Sequence, residues 1–222
     1  MKILISGSSS GIGLAAASAY LDLGHRVYGI DLKDGALSHE NYTHFIADIS
    51  KADTLPDIDG VNVIFNNAGL QNSRDDIDNN LKGTINVTEK YAFQPEIRSV
   101  LFNASASARS GDEFPLYAAS KAGVVGYMKN VAKRLAKYGA TCNSLSLGGV
   151  LTDSNAPVIN DAESWEKIMK VTPLKKWATL DEVTEWVLFL TLKNSSMSGQ
   201  DLLIDNGEQD LNSTFVWRES AK

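Results

Sequence analysis

Lys2-Ile3-Leu4-Ile5-Ser6-Gly7-Ser8-Ser9-Ser10-Gly11-Ile12-Gly13 opens the chain as a short apolar run followed at once by a glycine-rich turn. Leu14-Ala15-Ala16-Ala17-Ser18-Ala19-Tyr20-Leu21 comes next and is strongly helix-forming, with Gly24 placed to end the helix. Strand, glycine turn and helix in that order give the glycines a meaning beyond flexibility. Such a turn lets the backbone approach a pyrophosphate, which sits on the N–H groups and dipole at the helix N-terminus. The alternative, a flexible serine-glycine loop, does not account for the flanking strand and helix.

Arg26-Val27-Tyr28-Gly29-Ile30-Asp31 reads as a second strand ending in a carboxylate, 18 positions beyond Gly13. A carboxylate at that distance accepts hydrogen bonds from ribose hydroxyls and repels a 2′-phosphate. The expectation is therefore NAD(H) in preference to NADP(H). Lys33 is the counter-signal, because a nearby cation tolerates the phosphate.

Tyr117-Ala118-Ala119-Ser120-Lys121 puts a phenol and an ammonium four residues apart in a small-residue segment. At helical spacing both leave one face, about one turn apart. An isolated phenol titrates near ~10, too high for proton transfer at neutral pH. A fixed positive charge nearby favours the phenolate and brings it into use.

Together these stretches resemble the short-chain dehydrogenase/reductase family, over nearly the whole chain. Further motifs carry the resemblance: Asp48-Ile49, Asn66-Asn67-Ala68-Gly69, Asn80-Leu81-Lys82-Gly83, Gly148-Gly149-Val150-Leu151-Thr152, Pro173-Leu174-Lys175-Lys176-Trp177 and Asp205-Asn206-Gly207. The resemblance implies a Rossmann-type doubly wound parallel sheet in a three-layer α/β/α domain spanning 1–222. It implies cofactor contacts from Gly7, Ser9, Ser10, Gly11, Ile12, Asp31, Asp48, Ile49, Asn67, Ala68, Gly69, Val150 and Thr152, with Tyr117 and Lys121 shared between cofactor and chemistry. It implies a catalytic asparagine at Asn80, positioning a water behind Lys121, and a catalytic serine at the end of the strand Ser99–Asn103. Ser105 precedes Tyr117 by 12 positions and Ser107 by 10. Ser105 leaves the smaller gap and is preferred, while Ser107 stays open and an Asn103-anchored register falls on Ala106. The implied reaction interconverts a carbonyl and a secondary alcohol of a small substrate. Rival readings are a dinucleotide-binding regulator without turnover and a sugar-nucleotide epimerase or dehydratase.

The composition agrees. A chain of 222 residues suits one α/β domain with a substantial core. A net charge of −6 disfavours a nucleic-acid partner. Cys142 is the single cysteine and sits in an apolar strand pattern, so it reads as a buried structural thiol. His25, His39 and His44 share no ligand spacing, and no metal is expected. No apolar stretch is long enough for a membrane span or signal peptide, which gives a cytoplasmic expectation. Segment 153–172, with Pro157, Val158, Ile159, Trp165, Ile168 and Met169, falls where the family keeps its substrate lid. Arg109 is a weaker candidate for meeting a substrate carboxylate. Ala118, Ala119, Ala122, Gly123 and Gly126 permit close helix approach, and the family resemblance implies a homodimer or homotetramer. The apolar tail 211–222 is expected to pack on a neighbour or latch onto its own domain.

Several features depart from the family pattern. Leu147 stands where proline is usual, and Asn206 where glycine is usual. The connection 51–60 is too short for a crossover helix and reads as an irregular loop. Only ten residues, 70–79, separate Gly69 from Asn80.

Overall fold

The computed structural model describes residues 1–112 and 114–211. Seven parallel strands form one sheet in the order β3-β2-β1-β4-β5-β6-β7. They are β1 (Lys2–Ser6), β2 (Arg26–Asp31), β3 (Tyr42–Ile46), β4 (Val63–Asn66), β5 (Ser99–Asn103), β6 (Thr141–Leu147) and β7 (Asp201–Ile204). The helices are α1 (Gly11–Asp22), α2 (Thr84–Tyr91), α3 (Ser107–Ser110), α4 (Pro115–Leu135), α5 (Ala156–Ile159), α6 (Ala162–Val171) and α7 (Leu180–Leu188). A widened π-helical turn, Ile77–Gly83, leads into α2, and a second, Phe189–Lys193, continues α7.

Alternation along the strands builds two cores. Ile3 and Ile5 of β1, Val63 and Phe65 of β4, and Leu101 of β5 pack with Ala16, Ala17 and Tyr20 of α1 and Val183 and Val187 of α7. Leu4, Ile64, Val100 and Phe102 point the other way, against Val87 and Tyr91 of α2 and Val124, Met128 and Val131 of α4. A sheet covered on both faces needs nearly continuous apolar strands, and β1 and β4 supply them. The order reverses between β1 and β4, which is where an open α/β sheet forms its ligand crevice beyond the C-terminal strand ends. Ser6 pairs with both Ile30 and Asn66, so the ends of β1, β2 and β4 lie level at that crevice.

The doubly wound expectation holds, and so do the main elements. Helix α4 continues beyond Leu135 into a 3₁₀ turn, Ala136–Tyr138. Connection 51–60 holds only the 3₁₀ turn Ala52–Thr54. Polar side chains of α2 secure it in place of a helix: Lys90 Nζ donates to Leu55 O at 2.6 Å and Tyr91 Oη to Pro56 O at 2.5 Å. Leu55 is thereby buried. The tail 212–222 lies outside the described residues.

Phe65 is fully buried in the α1/α7 core beneath the crevice. Phe65→Ala is expected to cost about 3–5 kcal/mol, read as a lower urea midpoint with an unchanged denaturant slope. A loss under half a unit of that range would contradict this account of the core.

Candidate active site

The glycine turn is built by exclusion. Gly7 has φ of +71°, and a side chain there would meet Ala68 Cα at 2.7 Å. A side chain at Gly13 would meet Gly7 O at 1.9 Å. The turn is held from above by β4: Asn67 Nδ2 donates to Gly7 O at 3.0 Å and to Ser6 O at 3.3 Å. Ser6 Oγ accepts from the N–H groups of Asn67 and Ala68 at 3.1 and 3.2 Å. Asn103 Nδ2, at the end of β5, donates to Asn67 Oδ1 at 2.9 Å. Helix α1 starts here, and Ser10 at its N-cap makes no side-chain capping bond. An uncapped helix N-terminus behind a close-packed glycine turn fits a pyrophosphate.

Asp31 ends β2 beside that turn. Its Oδ2 accepts from Ser9 N at 3.0 Å and its Oδ1 from Lys33 N at 3.1 Å. The carboxylate is thus fixed against the mouth of the glycine turn, where a ribose diol would lie. Asp48 is turned to its own neighbours, with Oδ1 accepting from Ser50 Oγ at 2.7 Å and Lys51 at 2.9 Å from Oδ2. The Ser50 hydrogen bond first, then Lys51, hold its carboxyl below the usual range. Ile49 is buried and packs on Gly83.

Tyr117 and Lys121 stand on the first turns of α4, with Pro115 at the helix start fixing the entry. Lys121 Nζ lies 5.7 Å from the Tyr117 ring centroid and donates to Asn103 O at 2.8 Å. Lys121 is only 4% exposed. Burial pulls its ammonium down to about 8, and the charge of Asp76 works in the opposite direction. Asn80 is buried in the π turn, and its amide is fully committed. Its Oδ1 accepts from Leu70 N at 2.7 Å, and its Nδ2 donates to Leu70 O at 2.8 Å and to Ser120 Oγ at 3.0 Å. Ser120 Oγ in turn donates to Tyr117 O at 2.7 Å. Asn80 therefore braces the shortened 70–79 segment against α4.

Ser105 and Ser107 are both buried and bond each other, Ser105 Oγ donating to Ser107 Oγ at 3.1 Å and accepting from Ser107 N at 3.2 Å. The carbonyl between them, Ala106 O, accepts from Gln209 Nε2 at 2.9 Å. Sequence reasoning missed this brace, because nothing local pairs residues so far apart. Both serines, Tyr117 and Lys121 line one cavity of about 990 Å³, with Ile12, Val150 and Thr152 on the cofactor side. Val158, Ile168 and Val171 of the expected lid form an apolar wall with Trp177. Arg109 also lines it, 3.5 Å from Asp210. Cys142 is buried away from the cavity, and burial pushes its thiol far up. Among the described residues no three His, Cys, Asp or Glu gather to hold a metal, and no helix is long and apolar enough to cross a membrane.

Comparison with known proteins finds both sequence relatives and structures of the same fold. A family model described as Enoyl-(Acyl carrier protein) reductase matches residues 7–209. The chain is 31% identical to (+)-borneol dehydrogenase 1 of Salvia officinalis, with 94% of each covered. Among solved structures, a putative 2-deoxy-d-gluconate 3-dehydrogenase from Agrobacterium tumefaciens with bound NADP superposes with a TM-score of 0.83 at 23% identity, covering 93% of this chain and 95% of that one. A 4-hydroxyisoleucine dehydrogenase complexed with NADH gives 0.84 at 20% identity, covering 94% and 98%.

The buried Lys121 has a measurable consequence. Its folded value, about 8, lies below the ordinary lysine value of 10.5, so the unfolded chain binds more protons between the two. Its contribution to stability therefore improves as pH rises through 8 and levels off near 10.5. Relative to Lys121→Met, the wild type should gain about 2 kcal/mol between pH 7 and pH 9.5 in paired urea melts. A pH-independent difference would contradict the buried ammonium.

Proposed function

The chain belongs to the short-chain dehydrogenase/reductase family, and from that premise we propose how its cavity works: Tyr117 and Lys121 interconvert a carbonyl and a secondary alcohol of a small molecule, with NAD(H) preferred over NADP(H). The observation that carries this reading is the buried Lys121 ammonium beside the Tyr117 ring at the cavity wall. The nicotinamide, when bound, gives or takes the hydride. Everything else is work for side chains.

In the reducing direction Tyr117 Oη donates its proton to the carbonyl oxygen, and in the oxidising direction it takes that proton back. Lys121, held by Asn103 O, keeps a positive charge beside the phenol and stabilises the phenolate left after donation. Ser105 Oγ, turning its proton from Ser107 to the substrate oxygen, donates a hydrogen bond as negative charge develops there. Ser107, bonded to Ser105, is the alternative donor. Asn80 sets where Leu70 and Ser120 lie, so its part is in the placement of α4.

The glycine turn, the uncapped start of α1 and Asp31 fit a dinucleotide, with Gly7, Ser9, Ser10, Gly11 and Ile12 around its pyrophosphate. Val150 and Thr152 would face the nicotinamide, and Asn67, Ala68 and Gly69 would form the floor. Preference for NAD(H) rests on the Asp31 carboxylate, which would repel a 2′-phosphate; the Lys33 backbone N–H donates to that carboxylate. Relatives whose names carry NADP and NADH fit the broader statement that a nicotinamide dinucleotide is used. Val158, Ile168, Val171 and Trp177 suit a partly apolar substrate, with 153–172 as its lid. The intact Tyr117–Lys121 pair favours turnover over a silent regulator.

For a homodimer or homotetramer the support is on α4: Ala119, Ala122 and Gly126 are exposed, while Ala118 is buried and Gly123 packs on Leu81 of its own chain.

Tyr117→Phe tests the assignment. Dinucleotide affinity should stay within about twofold while turnover of any active carbonyl substrate falls about 10²-fold or more. Undiminished turnover in steady-state assays would remove Tyr117 from the chemistry.

A further inference from the structure

The three charged side chains buried among the described residues are Asp76, Lys121 and Asp205. Asp205 is accounted for, since its two oxygens accept from Gly207 N at 2.9 Å and Gln209 N at 2.8 Å. Asp76 is not. It is 0% exposed, its Oδ1 accepts only the Ser73 N–H at 3.2 Å, and its Oδ2 has no hydrogen-bond partner. A buried carboxylate left half satisfied is costly unless a cation offsets it.

Lys121 is the one buried cation among the described residues. Asp76 sits four residues before Asn80, at the N-cap of the π turn, so the two share one face of that turn. Asn80 reaches Ser120, the neighbour of Lys121, at 3.0 Å. A side chain on Gly69 would lie 3.1 Å from Asn80 Oδ1 and 3.4 Å from Lys121 Nζ, so only a glycine leaves that corner open. The shortened 70–79 segment thus carries a buried acid to the start of the turn from which Asn80 reaches α4.

We propose that Asp76 is a positioning residue for the Tyr117–Lys121 pair, a buried counter-charge that keeps Lys121 an ammonium at working pH. The reading rests on the roles given above to Tyr117 and Lys121. Burial alone drives the Lys121 ammonium down, and the charge of Asp76 is what opposes it. Other groups facing Lys121 are Tyr117 on its own helix and, across the cavity, Asp205 with its oxygens engaged and Arg109 beside Asp210. Around Asp76, Arg74 and Asp75 are exposed, and Asp78 pairs with Lys82. Of these only Asp205 is buried, and both its oxygens are already engaged by backbone N–H groups. Asp76→Asn keeps an acceptor for the Ser73 N–H and removes only the charge.

The experiment is carbon-13 NMR of the lysine ε-methylenes in the full chain without dinucleotide, with Lys121 assigned by its loss in Lys121→Met. In the wild type Lys121 should titrate near 8. In Asp76→Asn its midpoint should fall by about one pH unit, with the other lysines unmoved. An unchanged midpoint overturns the proposal, and so does loss of thermal stability without a shift, which is what a purely structural role gives. Should Asp76→Asn fail to fold, the reciprocal measurement decides. The Asp76 carboxyl resonance should show an inflection near pH 8 in the wild type and lose it in Lys121→Met; no inflection overturns the proposal. Because no turnover is read, a failure here is distinct from failure of the dehydrogenase reading, which the Tyr117→Phe assay reports.

Discussion

The side-chain amide of Asn67 joins three strand ends that would otherwise be independent. It donates to Gly7 O and Ser6 O at the end of β1, and it accepts from Asn103 at the end of β5. Ser6 Oγ returns two bonds to the backbone of Asn67 and Ala68. The glycine turn cannot move without breaking these bonds, because Gly13 already presses on Gly7 O. Asn103 carries the constraint onward, since its own carbonyl is the acceptor for Lys121. The place where a pyrophosphate would sit and the place of the lysine ammonium are therefore set by one continuous network. Each bond is worth only about 1 kcal/mol, and its value lies in register.

Burying an ammonium at the far end of that network works against stability and towards function. Lys121 is desolvated, which weakens its hold on its proton, yet the desolvated charge acts on the Tyr117 phenol from 5.7 Å off its ring centroid. The surrounding pieces reconcile the two demands. Asn103 O supplies a direct acceptor, Asn80 locks the approach of the π turn to α4, and Asp76 supplies a compensating charge. A widened helical turn at Ile77–Gly83 belongs to the same economy, since a π turn displaces a side chain such as Asn80 from regular helical register.

Much of this was legible in the residues. Apolar runs beside glycines gave β1 and β2 with little error, because a twice-covered parallel strand has few alternatives. The Tyr117–Lys121 spacing placed both groups on one face of α4, as the structure has it, and Asp31 fell at the end of its strand. What stayed hidden depended on contacts between distant segments. Asp76, in Arg74-Asp75-Asp76, looks like part of a solvated charged run, and only the fold separates it from the exposed Arg74 and Asp75. Arg109 looked available to a carboxylate but lies 3.5 Å from Asp210, and Gln209 reaches Ala106 across 103 positions of sequence. The choice between Ser105 and Ser107 stayed open for a physical reason: the two hydroxyls bond each other on one cavity wall.

The central claim is that this glycine turn, closed by Asn67 and flanked by Asp31, holds a nicotinamide dinucleotide for chemistry at Tyr117. Titration of the purified protein with NADH and with NADPH, followed by nicotinamide fluorescence, tests it most directly. The account predicts saturable binding of NADH that is tighter than that of NADPH. Tighter binding of NADPH would contradict the role of Asp31, and binding of neither would contradict the account at its root.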